Sequence, residues 1–149
     1  MLYITPDWIR GMREQVEAAQ SSIHVSALSM HPPKAGSITP YTKYLLALAA
    51  ARTRGVRAAV WLSAPRADIP AASLNFAAKQ WLRAQNIECH LVAGGKLLHA
   101  KSLVIDRASI WIGSGNLTPT AAHQSHEAYL NTQCARDAGR WADYLESLT

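Results

Sequence analysis

The stretch His99-Ala100-Lys101-Ser102-Leu103-Val104-Ile105-Asp106 is followed, after six residues, by Gly113-Ser114-Gly115-Asn116. The apolar run ahead of Asp106 predicts a strand over 98–105, and a second extended segment is expected over 109–113. On a strand, His99 and Lys101 are two residues apart and point to the same face, so an imidazole and an ammonium converge on one spot. A cation beside a nucleophile suits a phosphate. The small residues from Gly113 to Asn116 let a hydroxyl, an amide and close backbone groups approach the same spot, which is the description of an anion site.

Outward from this segment the chain alternates helices and strands. Trp8, Ile9, Met12, Val16 and Ala19 recur at helical spacing, predicting an amphipathic helix over 6–20. Residues 22–28 alternate Ile23, Val25 and Ala27 with polar neighbours, as a strand does. A second helix is expected from Thr39-Pro40 to about Arg54, ending at Gly55, and a buried strand over 56–62. A third helix over 72–85 and a strand over 87–92 follow. After Gly94-Gly95, three neighbouring strands are expected over 98–105, 109–113 and 127–133, then a last helix over 137–148. No repeat or linker interrupts this order, so the expectation is one α/β domain spanning 1–149, a mixed sheet with helices on both faces.

Composition sets the bounds. A chain of 149 residues, 49% hydrophobic and 17% charged, has ordinary globular usage and buries about 70% of its unfolded surface. Lys and Arg outnumber Asp and Glu by 15 to 10, giving a formal charge of +5. The cations are scattered, so any basic surface that attracts nucleic acid or anionic lipid has to be assembled by folding. Cys89 and Cys134 form no C-x-x-C pair, which favours free thiols over a disulfide or a zinc site. No apolar run reaches the 18 residues a membrane span needs, and no membrane insertion is expected. Residues 1–7 lack a basic segment followed by an apolar one, so a cytoplasmic location is expected, or a periplasmic or secreted one where a signal has been removed. The remaining histidines have no shared ligand spacing except His123 and His126, and no metal or cofactor is expected. The five tryptophans fall on predicted core faces, and packing accounts for them better than base stacking.

The spacing H-x-K-x4-D followed by x6-G-S-x-N resembles the signature of the phospholipase D superfamily, and every fixed position is matched. The resemblance implies a phospholipase D-like fold with one such motif per chain. It also implies roles. His99 is similar to the nucleophile that becomes a phosphohistidine, a route that needs no metal. Lys101 and Asn116 resemble the groups that hold the non-bridging phosphate oxygens, with Ser114 adding a donor. Glu127 lies at the interval where the family places a carboxylate that accepts a hydrogen bond from the imidazole. Asp106 resembles the motif aspartate and stays open between a site role and a simple turn.

A leaving oxygen must be protonated while the first imidazole is bonded to phosphorus, so the chemistry needs a second histidine. The small single-motif branch of the family, typified by a bacterial endonuclease, pairs two chains. A C2 homodimer with the active site at the interface is therefore expected. The leading expectation is a metal-independent phosphodiesterase acting on DNA or RNA. The alternatives are a lipid hydrolase or transphosphatidylase using the same route, or a nucleic-acid-binding module that only holds phosphate.

Overall fold

The structure, a computed structural model, describes residues 1–149. Seven strands form one mixed sheet: β1 (Leu2–Ile4), β2 (Ser22–Ala27), β3 (Arg57–Ser63), β4 (Glu88–Val92), β5 (Lys101–Ile105), β6 (Ser109–Gly113) and β7 (Ala128–Gln133). Their order is β1-β7-β6-β5-β2-β3-β4. The three strands that alternate with helices, β2, β3 and β4, are parallel, because each crossover returns the chain to the starting end. The closely spaced β5, β6 and β7 are antiparallel, and β5 also runs antiparallel to β2. The expected α/β class and mixed sheet are thus present.

Five helices flank the sheet: α1 (Asp7–Ala18), α2 (Pro40–Thr53), α3 (Asn75–Ala84), α4 (Pro119–His123) and α5 (Ala135–Glu146). The first four share one face, where Trp8, Met12, Tyr44, Leu48, Leu103 and Trp111 belong to a continuous core of 30 buried residues. The opposite face carries α5 alone, packed on smaller clusters around Trp61, Leu98 and Leu145 and around Val104, Ile110 and Ala142. Glu146 in the last turn of α5 bonds His24 Nε2 at 2.9 Å and Arg57 at 3.1 Å. The His24 hydrogen bond, with Arg57 and Arg107 nearby, holds the Glu146 carboxyl below its ordinary range despite some desolvation.

Several boundaries differ from expectation for identifiable reasons. The strand expected over 98–105 begins only at Lys101, since the ladder to β6 starts at the Lys101–Gly113 pair. The helix expected over 72–85 is a 3-10 turn at Pro70–Ala72 followed by α3. The buried Asn75 is drawn into loop contacts there: its amide bonds Leu28 O, Ser63 O and Met30 N. Strand β1 and helix α4 had not been expected. Three residues of β1 pair with β7 through contacts 124 to 128 positions away, which no local pattern reports. Helix α4 carries the same Thr-Pro start as α2, with Thr118 Oγ1 accepting from Ala121 N, and was detectable.

Asp106 closes the β5–β6 turn with φ at +53°, a region that aspartate tolerates better than most residues. Its carboxylate accepts from the backbone N–H groups of Gln20, Ser21 and Ser22 and from the Ser21 hydroxyl at 2.7–3.2 Å. Desolvation acts to raise its pKa, and these hydrogen bonds outweigh it, so the pKa lies below the ordinary value. The depressed folded-state value means that the stabilisation is present above pH ~4 and is lost as the pH falls through the folded-state pKa. Asp106→Ala is expected to cost about 2 kcal/mol at neutral pH. Thermal melting should show a drop of roughly 4–8 °C at pH 7 that shrinks below pH 4.

Candidate active site

At the end of the sheet where β5 begins, β6 ends and β7 begins, the structure brings His99, Lys101, Ser114 and Glu127 together. His99 is exposed and precedes β5 by two residues; Lys101, the first residue of β5, is 95% buried. The Lys101 ammonium lies 3.0 Å from His99 Nε2 and donates to the His99 carbonyl at 2.7 Å. With Lys101 charged, all its hydrogens are donors, so His99 Nε2 faces it with a lone pair and the imidazole proton sits on Nδ1. The convergence expected of a strand is therefore reached with Lys101 on β5 and His99 off it.

Lys101 has a lowered pKa because burial strips its ammonium of water, and Glu127 offsets part of this by Coulombic attraction. Glu127 is not hydrogen-bonded to the imidazole, as the resemblance implied. Its Oε2 accepts the Ser114 hydroxyl, and Ser114 Oγ in turn accepts from Ala128 N at 3.2 Å. Ser114 and Glu127 are thus a pair joined across the β6–β7 edge.

Close packing explains the glycine ahead of Ser114. A Cβ on Gly113 would lie 2.3 Å from the Ala128 carbonyl oxygen, so any side chain there would push β6 and β7 apart. Asn116 stands on the far side of the site. Its Oδ1 accepts from Ser29 N at 3.3 Å, just beyond the end of β2. The next residue, Leu117, is bridged to Met30, and both Leu117 O and His31 O accept from Tyr41 O–H at 2.6 and 2.5 Å. The Asn116 segment is thereby fixed to the end of β2.

Asp106 does not join this group. It lies at the other end of β5, about 16 Å along the strand from Lys101, with its carboxylate occupied by the α1–β2 junction. Its grouping with the catalytic residues is corrected: proximity in the motif is proximity in sequence only, since five residues of extended chain separate the two ends. Sequence reasoning also missed Ser26 and Ser63, buried on β2 and β3, which donate to the carbonyls of Ala100 and Leu98 on either side of His99. Their signal was polar residues in otherwise apolar parallel strands.

A buried ammonium in contact with an exposed imidazole can hold an oxyanion while the imidazole nitrogen approaches its central atom. A family model described as cardiolipin synthase, PLD-like domain, matches residues 12–149. Among solved structures, the chain is similar to Nuc from Salmonella typhimurium, a phospholipase D family member, with a TM-score of 0.80 at 20% identity over 99% of this chain and 91% of that one. NucT from Helicobacter pylori gives 0.70 at 15% over 99% and 93%. Phosphatidylserine synthase from Haemophilus influenzae Rd KW20 gives 0.73 at 15%, over 97% of this chain but 36% of its own. At these identities the likeness is one of fold. No curated protein matches in sequence. The match of nearly the whole chain to the family model, together with the residues gathered at the end of β5, makes this protein a member of the phospholipase D superfamily.

Proposed function

We propose that this protein is a metal-independent nuclease that cleaves DNA or RNA through a phosphohistidine on His99, in a site completed by a second copy of the chain. The observation that carries this reading is the 3.0 Å contact between the exposed His99 Nε2 and the buried Lys101 ammonium. A phosphate entering the site replaces the imidazole as acceptor for that ammonium and frees the Nε2 lone pair beside the phosphorus. Lys101 and the Nδ2 of Asn116 then stabilise the charge that grows on the non-bridging oxygens, and Ser114 joins them by turning its hydroxyl from Glu127 to the phosphate.

The steps balance with two imidazoles. His99 Nε2 bonds to phosphorus as the bond to the leaving oxygen breaks, and the second copy's imidazolium gives that oxygen its proton. Water then attacks phosphorus, the second imidazole takes the proton, and the P–N bond breaks. The donor set includes a lysine ammonium and one carboxylate, which suits an anion better than a divalent cation. Nucleic acid is favoured as substrate by the formal charge of +5 and by the resemblance of the motif to the single-motif nuclease branch.

A second copy has a surface to dock on. Leu2, Leu130 and Ile112 are aligned across β1, β7 and β6 on the face that α5 covers only in part, and each is more than half exposed. Ile4 on β1 and Tyr144 on α5 extend this apolar face, and a cleft lined by Leu97, His99, Trp141 and Tyr144 joins it to the candidate site. An apolar patch bordering a site that lacks one of its two imidazoles is the expected mark of an isologous interface.

Three outcomes are expected. Cleavage of single-stranded DNA, double-stranded DNA or RNA persists in excess EDTA and falls at least about a thousandfold in His99→Ala; turnover of phosphatidyl lipids with no nucleic acid cut would move the reading to a lipid enzyme. The alkaline limb of kcat/KM lies below the ordinary lysine value of 10.5, and Glu127→Gln moves it lower still by removing the carboxylate that favours the charged ammonium. The double change Ile112→Asp and Leu130→Asp gives a folded monomer by sedimentation with cleavage lost, because charges on exposed strand positions spare the core but not an apolar interface.

A further inference from the structure

Ala100, between His99 and Lys101, is held by a chain of side chains that the proposed steps do not use. Trp141 Nε1 in α5 lies 2.6 Å from Ser102 Oγ, the Ser102 and Ser26 hydroxyls are 2.7 Å apart, and Ser26 Oγ lies 3.1 Å from the Ala100 carbonyl oxygen. An indole N–H only donates and a carbonyl only accepts, so the ends fix the direction of every bond between them. Trp141 donates to Ser102, Ser102 to Ser26, and Ser26 to Ala100. Ser26 and Ser102 are 1% and 3% exposed, so water does not compete for these bonds.

The neighbouring carbonyls are held as well. Ser63 Oγ donates to Leu98 O at 2.9 Å, and Lys101 Nζ donates to His99 O at 2.7 Å. Residues 98–100 thus have all three carbonyls bound by side chains. They need it, because the β5–β6 ladder begins only at Lys101 and leaves the backbone under His99 without strand partners.

We propose that Trp141, Ser102 and Ser26 are positioning residues that aim His99 at phosphorus, and that they tie its placement to α5, the helix beside the apolar docking face. The inference rests on His99 acting as the nucleophile. Its effect is on the attack step, since the backbone under the imidazole shifts while the phosphate-holding groups stay in place.

The test measures steady-state turnover of bis(4-nitrophenyl) phosphate by the full chain, with melting temperature and solution mass as controls. Ser26→Ala should lower kcat about tenfold with KM within twofold. Trp141→Phe keeps the ring but removes the N–H, so the serine pair is free to reverse, and kcat should fall about threefold. The double variant should be no slower than Ser26→Ala, because Ala100 O has only one bond to lose. Ser26→Thr restores the hydroxyl and should recover kcat to within threefold. An unchanged kcat in Ser26→Ala, or effects that multiply in the double variant, overturns the positioning chain alone. Should Ser26→Ala not fold, an unchanged kcat in Trp141→Phe overturns it equally. A wild-type chain that cleaves no phosphodiester overturns the nucleophile and this inference together.

Discussion

The register of β5 is the constraint on which the rest of the structure depends. Strand β5 lies between β2 and β6, and all five of its residues are buried. A slip of one residue would turn Leu103 and Ile105 from the large core to the α5 side, carry Lys101 with them away from His99, and bring Ser102 and Val104 in their place. Two features at opposite ends prevent it. Asp106 binds three consecutive amides of the α1–β2 junction, and at the other end Ser26 meets Ser102 across the β2–β5 pair. The aspartate lies a strand's length from the ammonium, yet the position of the ammonium next to His99 follows from it.

The sheet also divides the protein into a finished side and an unfinished one. Helices α1 to α4 cover one face and supply most of the core. On the other face α5 packs against β2, β5 and β6, leaving apolar side chains of β1, β6 and β7 in water. The proposed chemistry has the same incompleteness, since one motif supplies one imidazole to steps that call for two. Both gaps lie on the side of α5, and both are met by a second copy in the proposed arrangement.

Electrostatics reinforce this economy of parts. Burial makes the Lys101 ammonium costly to keep charged, and Glu127, itself engaged by Ser114, reduces that cost. The same loss of water strengthens the pull of the ammonium on an incoming phosphate. Lys101 acts on that phosphate at short range, Lys96 lines the cleft beside His99, and the dispersed positive charge acts at longer range.

The sequence by itself determined the alternation of helices and strands, the mixed sheet and the identity of the motif. Each of these is written in local periodicity, in turn chemistry such as Thr39-Pro40 and Gly55, or in fixed spacing. Tertiary structure alone decided that His99 stands off the strand, that Glu127 turns to Ser114, that β1 adds to the far edge and that Ser26 and Ser63 hold the backbone beside His99. These depend on which residues meet across the sheet from positions 13 to 130 apart, and hydrogen-bond partners at such separations leave no periodic trace in the chain. Asp106 shows the division within one residue. Its place in the motif was legible, but only the fold, by setting it a strand's length from Lys101, decided that it holds the scaffold and not the substrate.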